Sequence, residues 1–494
     1  MVAVGTLAAQ ATDYTDKLLV LVNGEGSDQS ATISVNEHDG VYDLKLKNFV
    51  LMNGDSPMPV GNVELTNIVP EQAGNAIFLR AAQNITVTEG DAEGVAFWMG
   101  PMLGELPVEI VAVLENGGLR ALINLDLMSL MQQIVEVRFG DALVTGRGYH
   151  IPNGDFEAWH TSAESYVEPN AWHSFESASG MLAPLAGHHI DKSENGIGGS
   201  ACARIFATSI FGIVANGTMT TGRMNAGSMV ATDAVNNAYM DMSLTDVDGN
   251  GDPFYVPLTS RPDSLVLWVQ FKQGTPSAAH PYATVSAAIT DGTYYQDPED
   301  KDYSNVVAKA KNAEIATTGG QWRRLSLPFV YTESNLTPKA IMVTVSTNAD
   351  AGQGSADDEV LVDNISLVYN NRLSELNVVG FEADKFDYTQ AGTPDLDNLV
   401  AQANGQGAYV LKSLESGDEG QRAVITVFAG DLLSRSVYTI NYDGVFNGIS
   451  ELAAPSAEGT VNYQLDGRQA RTLRHGQVYI VRQADGTIVK RLHQ

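Results

Sequence analysis

The chain has 494 residues, enough for about three domains of roughly 150 residues each, and its 44% hydrophobic and 18% charged residues indicate folded domains rather than disorder. Its 59 acidic against 29 basic residues give a formal net charge of −30, which argues against a nucleic-acid or anionic-membrane partner. No run approaches the roughly 18 consecutive apolar residues of a membrane-spanning helix, and the one cysteine, Cys202, cannot form an internal disulfide.

The N-terminal segment predicts export. Residues 2–11 are largely apolar and end in Ala9-Gln10-Ala11, the small-x-small pattern that signal peptidase recognises. We interpret residues 1–11 as the remnant of a signal peptide, with an ordinary chain terminus as the alternative. On this interpretation the protein is secreted or lies on the outer cell surface.

Residues 12–146 alternate long amphipathic strands with turns. Tyr42, Leu44 and Leu46 would share one face of a strand, because successive side chains point to opposite faces. The segment Glu115-Asn116-Gly117-Gly118 is typical of a hairpin turn. Further strands are predicted at Lys17–Val22, Ala31–Val35, Val60–Val69, Ile77–Val87, Val108–Leu114 and Leu119–Leu125. About seven or eight such strands with one wet face predict an up-and-down β-barrel.

Three segments of this region carry a family resemblance, and they are Tyr14–Leu18, Tyr42–Phe49 and Pro59–Val63. Together they resemble the calycin-like β-barrel domain of bacterial surface proteins. The resemblance implies a barrel for residues 12–146, and it implies no catalytic residue.

The region from 149 to 370 opens with Ile151–Trp159 and closes with Val360–Tyr369. Between these motifs lie Glu168–Trp172, Arg261–Leu265 and Trp322–Phe329. The ordered set resembles the "Putative carbohydrate metabolism" domain, a galactose-binding-like jelly-roll β-sandwich. The resemblance implies an association with sugars rather than a particular reaction.

Three shorter segments complete the chain. Short strands between residues 372 and 443 occur at the spacing of a small immunoglobulin-like sandwich. Residues 444–460 are rich in small side chains and predict a linker. Residues 461–494 look like the C-terminal sorting modules of Gram-negative surface proteins and predict a β tail, with a plain edge hairpin as the alternative. The predicted fold is therefore all-β and multi-domain.

Two carboxylates near the ends of the jelly-roll region, Glu157 and Asp363, are candidate metal ligands. The first and last strands of a jelly roll can lie side by side, so the two side chains would converge, with Asp155 assisting. Carbohydrate-binding modules, which the region resembles in architecture, often hold a structural calcium there. The alternative is that Asp363 only caps the last strand.

The segment Asp246–Asp252 fits the first half of a calcium-binding loop, because oxygen-bearing side chains recur at alternate positions. The twelfth position, which a bidentate glutamate should occupy, is Pro257. We therefore interpret the segment as an Asp/Gly turn, with a looser cation site as the alternative.

Aromatic side chains beside carboxylates are the candidate sugar platform. Tyr294 and Tyr295 lie in a predicted loop that begins at Asp291. A pyranose ring presents a C–H face that stacks on an aromatic ring, and nearby polar groups can bind its hydroxyls. The predicted ligand-binding residues are Tyr294, Tyr295, Asp291 and Trp172, with core packing as the alternative for Trp172.

The sequence contains no HExxH, GxSxG, GxxxxGK[ST] or CxxC motif. We therefore expect an exported, non-catalytic protein that binds or presents glycans through the jelly roll. A structural calcium is the expected cofactor, and no organic cofactor is expected. The alternatives are a glycoside hydrolase or lyase, and a structural or adhesive surface protein with a protein partner.

Overall fold

The computed structural model describes residues 11–22, 25–53, 56–127, 133–140, 151–162, 166–247, 249–333, 335–417, 420–442, 461–463, 478–482 and 488–492. Its regular structure is nearly all β, with 54% strand and 4% helix. The all-β, multi-domain prediction is therefore confirmed. Among the helices in these ranges, none is long and apolar enough to cross a membrane.

The N-terminal region forms one sheet of nine antiparallel strands. The strands are Thr12–Val22 (β1), Glu25–His38 (β2), Val41–Asn53 (β3), Ser56–Ile68 (β4), Pro70–Ala73 (β5), Ala76–Thr86 (β6), Glu105–Glu115 (β7), Gly118–Leu127 (β8) and Gln133–Phe139 (β9), with a short 3₁₀ helix at Gly100–Met102. Their order is β4-β3-β2-β1-β9-β8-β7-β6-β5, so the first and last strands pair with each other. Glu115 pairs with Gly118 across the predicted hairpin turn. The up-and-down prediction is confirmed, and most of the strands are longer than predicted.

The two edges of this sheet meet and close the barrel. Asn62 of β4 and Thr88, which follows β6, form an antiparallel bridge whose two N–H···O distances are 2.8 and 3.1 Å. The inner face is the apolar one, and Tyr42, Leu44 and Leu46 are each at most 9% exposed. The alternation of side chains along β3 thus predicts the buried face correctly.

The central region contains two antiparallel sheets that share one apolar core. Its strands are Trp159–Thr161 (β10), Val167–Pro169 (β11), Ile190–Ser193 (β12), Cys202–Phe206 (β13), Thr208–Ile210 (β14), Ile213–Ala215 (β15), Thr218–Thr220 (β16), Ala238–Met240 (β17), Val256–Pro257 (β18), Ser264–Lys272 (β19), Ala283–Thr290 (β20), Tyr295–Asp297 (β21), Val306–Ile315 (β22), Arg323–Pro328 (β23), Val330–Tyr331 (β24), Ala340–Ser346 (β25) and Glu359–Val368 (β26). The five-stranded sheet has the order β12-β13-β26-β19-β23. The six-stranded sheet has the order β16-β25-β20-β22-β24, with β18 also paired to β25.

Short elements lie in the connections of this sandwich. The ladders β10-β11, β14-β15 and β17-β21 each have two strands. The short helices are Phe175–Ser177, Ala183–Ala186 (α1), Ile197–Gly199 and Ala234–Asn236. The region is a two-sheet β-sandwich, and its assignment to a carbohydrate-related domain family stays a prediction.

The C-terminal part has a core of its own, which includes Tyr388, Ile425 and Tyr438. Its strands are Leu373–Leu376 (β27), Asp387–Gln390 (β28), Ala401–Ala403 (β29), Tyr409–Gly417 (β30), Gly420–Phe428 (β31), Arg435–Tyr442 (β32), Val461–Tyr463 (β33), Val478–Arg482 (β34) and Ile488–Leu492 (β35). The sheets are β27-β29, β28-β32-β31-β30 and β33-β34-β35, with β28 parallel to β32. The immunoglobulin-like assignment and the domain boundaries stay predictions. Residues 1–10 of the predicted signal peptide and the predicted linker 444–460 lie outside the described residues.

The barrel directly contacts the C-terminal sandwich, which consists of β27 to β32. The ring of Phe78 on β6 lies 4.8 Å from that of Tyr409 and 5.3 Å from that of Phe428. The Tyr409 hydroxyl donates to Glu115 Oε2 at 2.6 Å and accepts from Arg120 Nη2 at 2.6 Å. The N-terminal and C-terminal parts of the chain are therefore joined by an apolar contact with a polar rim.

Candidate functional site

The predicted sugar platform is only partly exposed. Tyr294 is 44% exposed and stacks on Tyr239, with ring centroids 5.8 Å apart. Tyr295 begins β21 and is 3% exposed, so its ring faces the core. Neighbouring side chains in extended backbone point in opposite directions, which separates the two rings. Asp291 accepts hydrogen bonds from the N–H and the hydroxyl of Thr293. Of the predicted pair, Tyr294 is the ring that a ligand can reach.

Trp172 is a core residue. It is 0% exposed, and its ring centroid lies 5.4 Å from that of Phe156. Its Nε1–H donates to the carbonyl of Pro152 at 3.0 Å. A ring without accessible surface offers no face to a sugar, so Trp172 belongs to the packing of the sandwich rather than to a ligand site.

The predicted metal ligands Glu157 and Asp363 both hold the connection between β12 and β13. Glu157 Oε1 accepts the N–H of Ala201 at 2.9 Å, and Asp363 Oδ2 accepts the N–H of Ile197 at 2.7 Å. Asp363 is 0% exposed, and burial raises its pKa, as does the nearby charge of Glu157. Asp155 is also buried. The structure thus brings Glu157 and Asp363 to one segment, and calcium binding there stays a prediction.

A cavity of about 230 Å³, the sheet-face cavity, lies over the outer face of the six-stranded sheet. The alternation of side chains along β20 explains why its floor is polar. Val285 and Ala287 face the core, while Thr284 and Ser286 face outward into the cavity. The hydroxyl-bearing side chains that line it are Thr218, Thr284, Ser286, Ser228, Thr344 and Ser346. The sheet therefore presents a polar floor on the side opposite to the core.

The walls of the sheet-face cavity are apolar and come from connections rather than from the sheet. They consist of Phe175, Leu182, Leu185, Ile210, Ile213, Met224 and Met229. Three of these, Leu185, Ile213 and Met229, are between 41% and 50% exposed. An apolar wall that remains open to solvent is typical of a ligand or partner site.

Charged groups and side-chain amides also line the sheet-face cavity. Asp297 and Lys311 line it, and the Ser286 hydroxyl donates a hydrogen bond to Asp297. Burial raises the pKa of Asp297, whereas the bond from Ser286 and the charge of Lys311 act in the opposite direction. Asn216 and Asn225 also line the cavity, and the side-chain oxygen of each is buried without a hydrogen-bond partner among the described residues. These oxygens are acceptors for a ligand that donates hydrogen bonds.

A second cluster of polar side chains contains His160, Glu168 and Asp246. One ligand atom of each lies within 4.8 Å of the others. His160 is on β10, Glu168 is on β11, and Asp246 begins the segment that we interpreted as a turn. Sequence spacing carries no signal for His160 or Glu168, because neither forms a local motif with Asp246. For this cluster, the sequence offers one signal of metal binding, the oxygen-rich segment Asp246–Asp252. A cation site is the alternative interpretation of that segment.

Residues 11–142, which form the N-terminal barrel, match the family model of the calycin-like β-barrel domain. Among solved structures, the chain is similar to a protein of Bacteroides thetaiotaomicron described as "a putative glycoside hydrolase", with 12% identity, 70% of this chain and 86% of that chain covered, and a TM-score of 0.31. It is also similar to a fructofuranosidase of Schwanniomyces occidentalis complexed with fructose, with 7% identity, 68% and 79% of the two chains covered, and a TM-score of 0.12. TM-scores this low support no conclusion about shared function. No curated protein matches the chain.

Proposed function

We propose that the protein binds a carbohydrate in the sheet-face cavity and does not cleave it. The observation that carries the proposal is the combination, in one cavity, of a hydroxyl-bearing floor and apolar walls. A sugar ring has the matching surface, since its hydroxyls form hydrogen bonds while its C–H groups pack against apolar side chains.

Asp297 supports this proposal as the polar anchor of the site. A carboxylate that accepts from a sugar hydroxyl forms a charge-assisted hydrogen bond, which is about twice as strong as a neutral one. Glycoside hydrolysis generally needs a second carboxylate about 5–9.5 Å from the first. Among the described residues that line the cavity, Asp297 is the only carboxylate. This composition supports binding over hydrolysis.

We also propose that the protein acts outside the cell, as a secreted or surface protein. The support is the Ala9-Gln10-Ala11 pattern, which matches a signal-peptidase site. Fractionation of the native host tests this directly. A chain that lacks residues 1–11 in the secreted or outer-surface fraction would agree, and a full-length chain confined to the cytoplasm would refute it.

Carbohydrate binding is measured with the purified full-length protein on a glycan array, followed by calorimetric titration with each glycan that is retained. We expect Asp297→Asn to weaken binding at least about tenfold, because it replaces a charge-assisted hydrogen bond by a neutral one. Asp291→Asn is the matched control, because Asp291 bonds to Thr293 and is not among the residues that line the cavity. The control should bind with unchanged affinity.

Three other outcomes would change the proposal. Equal affinity of Asp297→Asn and the unchanged protein would place the sugar outside the sheet-face cavity. Reducing ends that are released by the protein, but not by Asp297→Asn, would show hydrolysis. If no glycan is retained, a protein partner becomes the better candidate, because Met181 and Phe211 beside the wall residues are 82% and 78% exposed.

A further inference from the structure

The side chains of His160, Glu168 and Asp246 form a compact cluster of potential metal ligands. Its three ligand atoms lie within 4.8 Å of one another, and His160 Nε2 is 3.9 Å from Asp246 Oδ2. In a tetrahedral site with metal–ligand bonds of about 2.1 Å, the ligand atoms are about 3.4 Å apart. The side chains would therefore approach one another by roughly one ångström when an ion binds.

Glu168 is a buried carboxylate, and only one of its two oxygens accepts hydrogen bonds from described residues. It is 0% exposed, and its Oε1 accepts from the N–H and the hydroxyl of Ser174 at 2.7 and 2.8 Å. Its Oε2 is buried without a hydrogen-bond partner among the described residues. Burial raises the pKa of Glu168 to about 8, and the charge of Glu176 adds to this effect. A cation beside Oε2 would offset the cost of burying the charge.

His160 is oriented as metal-binding histidines are. Its Nδ1 lies 3.1 Å from Asn170 Oδ1. An amide oxygen only accepts hydrogen bonds, so Nδ1 carries the proton and Nε2 presents a lone pair. Nε2 is buried without a hydrogen-bond partner in the described part of the chain. A hydrogen bond on the far ring nitrogen is the usual support for a histidine that ligates a metal.

We propose that His160, Glu168 and Asp246 bind one divalent transition-metal ion, and that Zn²⁺ matches the site best. One imidazole nitrogen and two carboxylate oxygens are ligands of zinc, whereas calcium and magnesium prefer oxygen alone. The ion joins the β10-β11 hairpin to the segment at Asp246. Asp252 of the same segment also accepts the N–H of Ala171, in the turn after β11, at 2.6 Å. The three ligands do not line the sheet-face cavity, so this site is independent of sugar binding.

The experiment is a calorimetric titration of the full-length protein with Zn²⁺ after dialysis against a chelator. We expect one equivalent to bind tightly, and we expect His160→Ala and Asp246→Asn each to weaken binding at least tenfold. His280→Ala is the matched control, because His280 also pairs with a carboxylate, Asp350 at 2.7 Å, but lies outside the cluster. The control should bind Zn²⁺ with unchanged affinity.

A spectroscopic measurement on the unchanged protein tests the ligand set without relying on variants, which could fail to fold. X-ray absorption at the zinc edge should show one imidazole among nitrogen and oxygen ligands and no sulfur. Circular dichroism of each variant, and of His160→Gln as a milder change, shows whether a loss of binding is local. No tight equivalent in the unchanged protein, two or more imidazoles at the ion, or full affinity in a folded His160→Ala would each overturn the proposal.

Discussion

At the residue scale, His188 shows how burial and charge set a protonation state. Its Nδ1 lies 2.5 Å from Glu176 Oε1 and its Nε2 lies 2.7 Å from Asp191 Oδ1. The hydrogen bond with Glu176, followed by that with Asp191, raises the pKa of His188 to about 9, although burial acts against this. Arg204 also donates to Asp191, at 2.8 Å. His188 is therefore protonated at neutral pH and joins charged groups along the edge of the five-stranded sheet.

We predict that the free energy of unfolding falls as the pH rises from about 6.5 to 9. The pKa of His188 is raised in the folded chain, so the folded state binds more protons in this window. Its stabilisation is complete below the unfolded pKa of 6.5 and is lost as the pH passes the folded value. Because His188 is partly exposed, solvent screening limits the effect to about 1–2 kcal/mol.

Urea unfolding at a series of pH values checks the effect of His188. His188→Gln is the comparison, because glutamine keeps hydrogen-bonding capacity but does not titrate. The free energies of the two proteins should converge toward pH 9. A decline of the same size in both proteins would assign the pH dependence to other groups.

At the scale of elements, Gly61 permits the closure of the barrel. Its φ is +128°, and a Cβ on this residue would lie 2.1 Å from the carbonyl oxygen of Thr88. That oxygen accepts the N–H of Asn62 in the bridge that joins the two sheet edges. A side chain at position 61 would therefore push the edges apart.

We predict that Gly61→Ala lowers the free energy of unfolding by about 2–4 kcal/mol, through backbone strain and loss of the bridge. Gly74→Ala is the control, because Gly74 also has positive φ, +61°, but a Cβ there meets nothing within 4 Å. Its cost should be only about 1 kcal/mol. Chemical unfolding followed by circular dichroism gives both values, and equal costs would show that the approach to Thr88 has no effect.

Strand alternation could be predicted from the sequence, and burial by distant segments could not. Tyr42, Leu44 and Leu46 have the predicted face because the period of two depends only on local backbone geometry. Tyr294 and Tyr295 were predicted as one platform, but Tyr295 opens a short strand and packs into the core. Which ring is covered depends on the neighbouring elements, and sequence spacing does not encode that.

For the candidate sites, too, sequence spacing does not show which distant segments come together. His160, Glu168 and Asp246 meet because a connection folds onto a hairpin, and the walls of the sheet-face cavity come from separate connections. Oxygen-rich composition indicated a possible ligand at Asp246, but no periodicity links it to the other two residues. Glu157 and Asp363 were expected together because the first and last strands of a jelly roll can lie side by side. In the structure β10 pairs with β11 instead, and β26 lies between β13 and β19. The opening segment reaches β26 through the bond from the Ile365 N–H to the Gly154 carbonyl at 2.8 Å, which strand order does not predict.

At the scale of the whole molecule, Tyr409 couples the barrel to the C-terminal sandwich. We predict that Tyr409→Ala lowers the free energy of unfolding by about 3–5 kcal/mol, because it removes a buried ring from contact with Phe78 and Phe428. Tyr409→Phe keeps the ring and loses only the hydroxyl bonds to Glu115 and Arg120, so it should cost about 1–2 kcal/mol.

Differential scanning calorimetry distinguishes these variants. In the unchanged protein the barrel and the C-terminal sandwich should unfold together, and Tyr409→Ala should separate their transitions. Tyr409→Phe should keep one combined transition at a lower temperature. Identical thermograms for the unchanged protein and Tyr409→Ala would show that the two parts are not coupled through this residue.

The contact at Tyr409 also sets an order of events during synthesis. Tyr409 lies 294 residues beyond its hydrogen-bond partner Glu115, and ribosomes add about 5–20 residues per second. The last barrel strand, β9, ends at Phe139, so about 14–54 s pass between completion of the barrel and synthesis of Tyr409. During this time the apolar side chains of Ala76, Phe78 and Val113 are uncovered. A barrel produced without the C-terminal sandwich would keep that patch exposed permanently, and self-association of such a fragment follows from the same side chains that stabilise the complete chain.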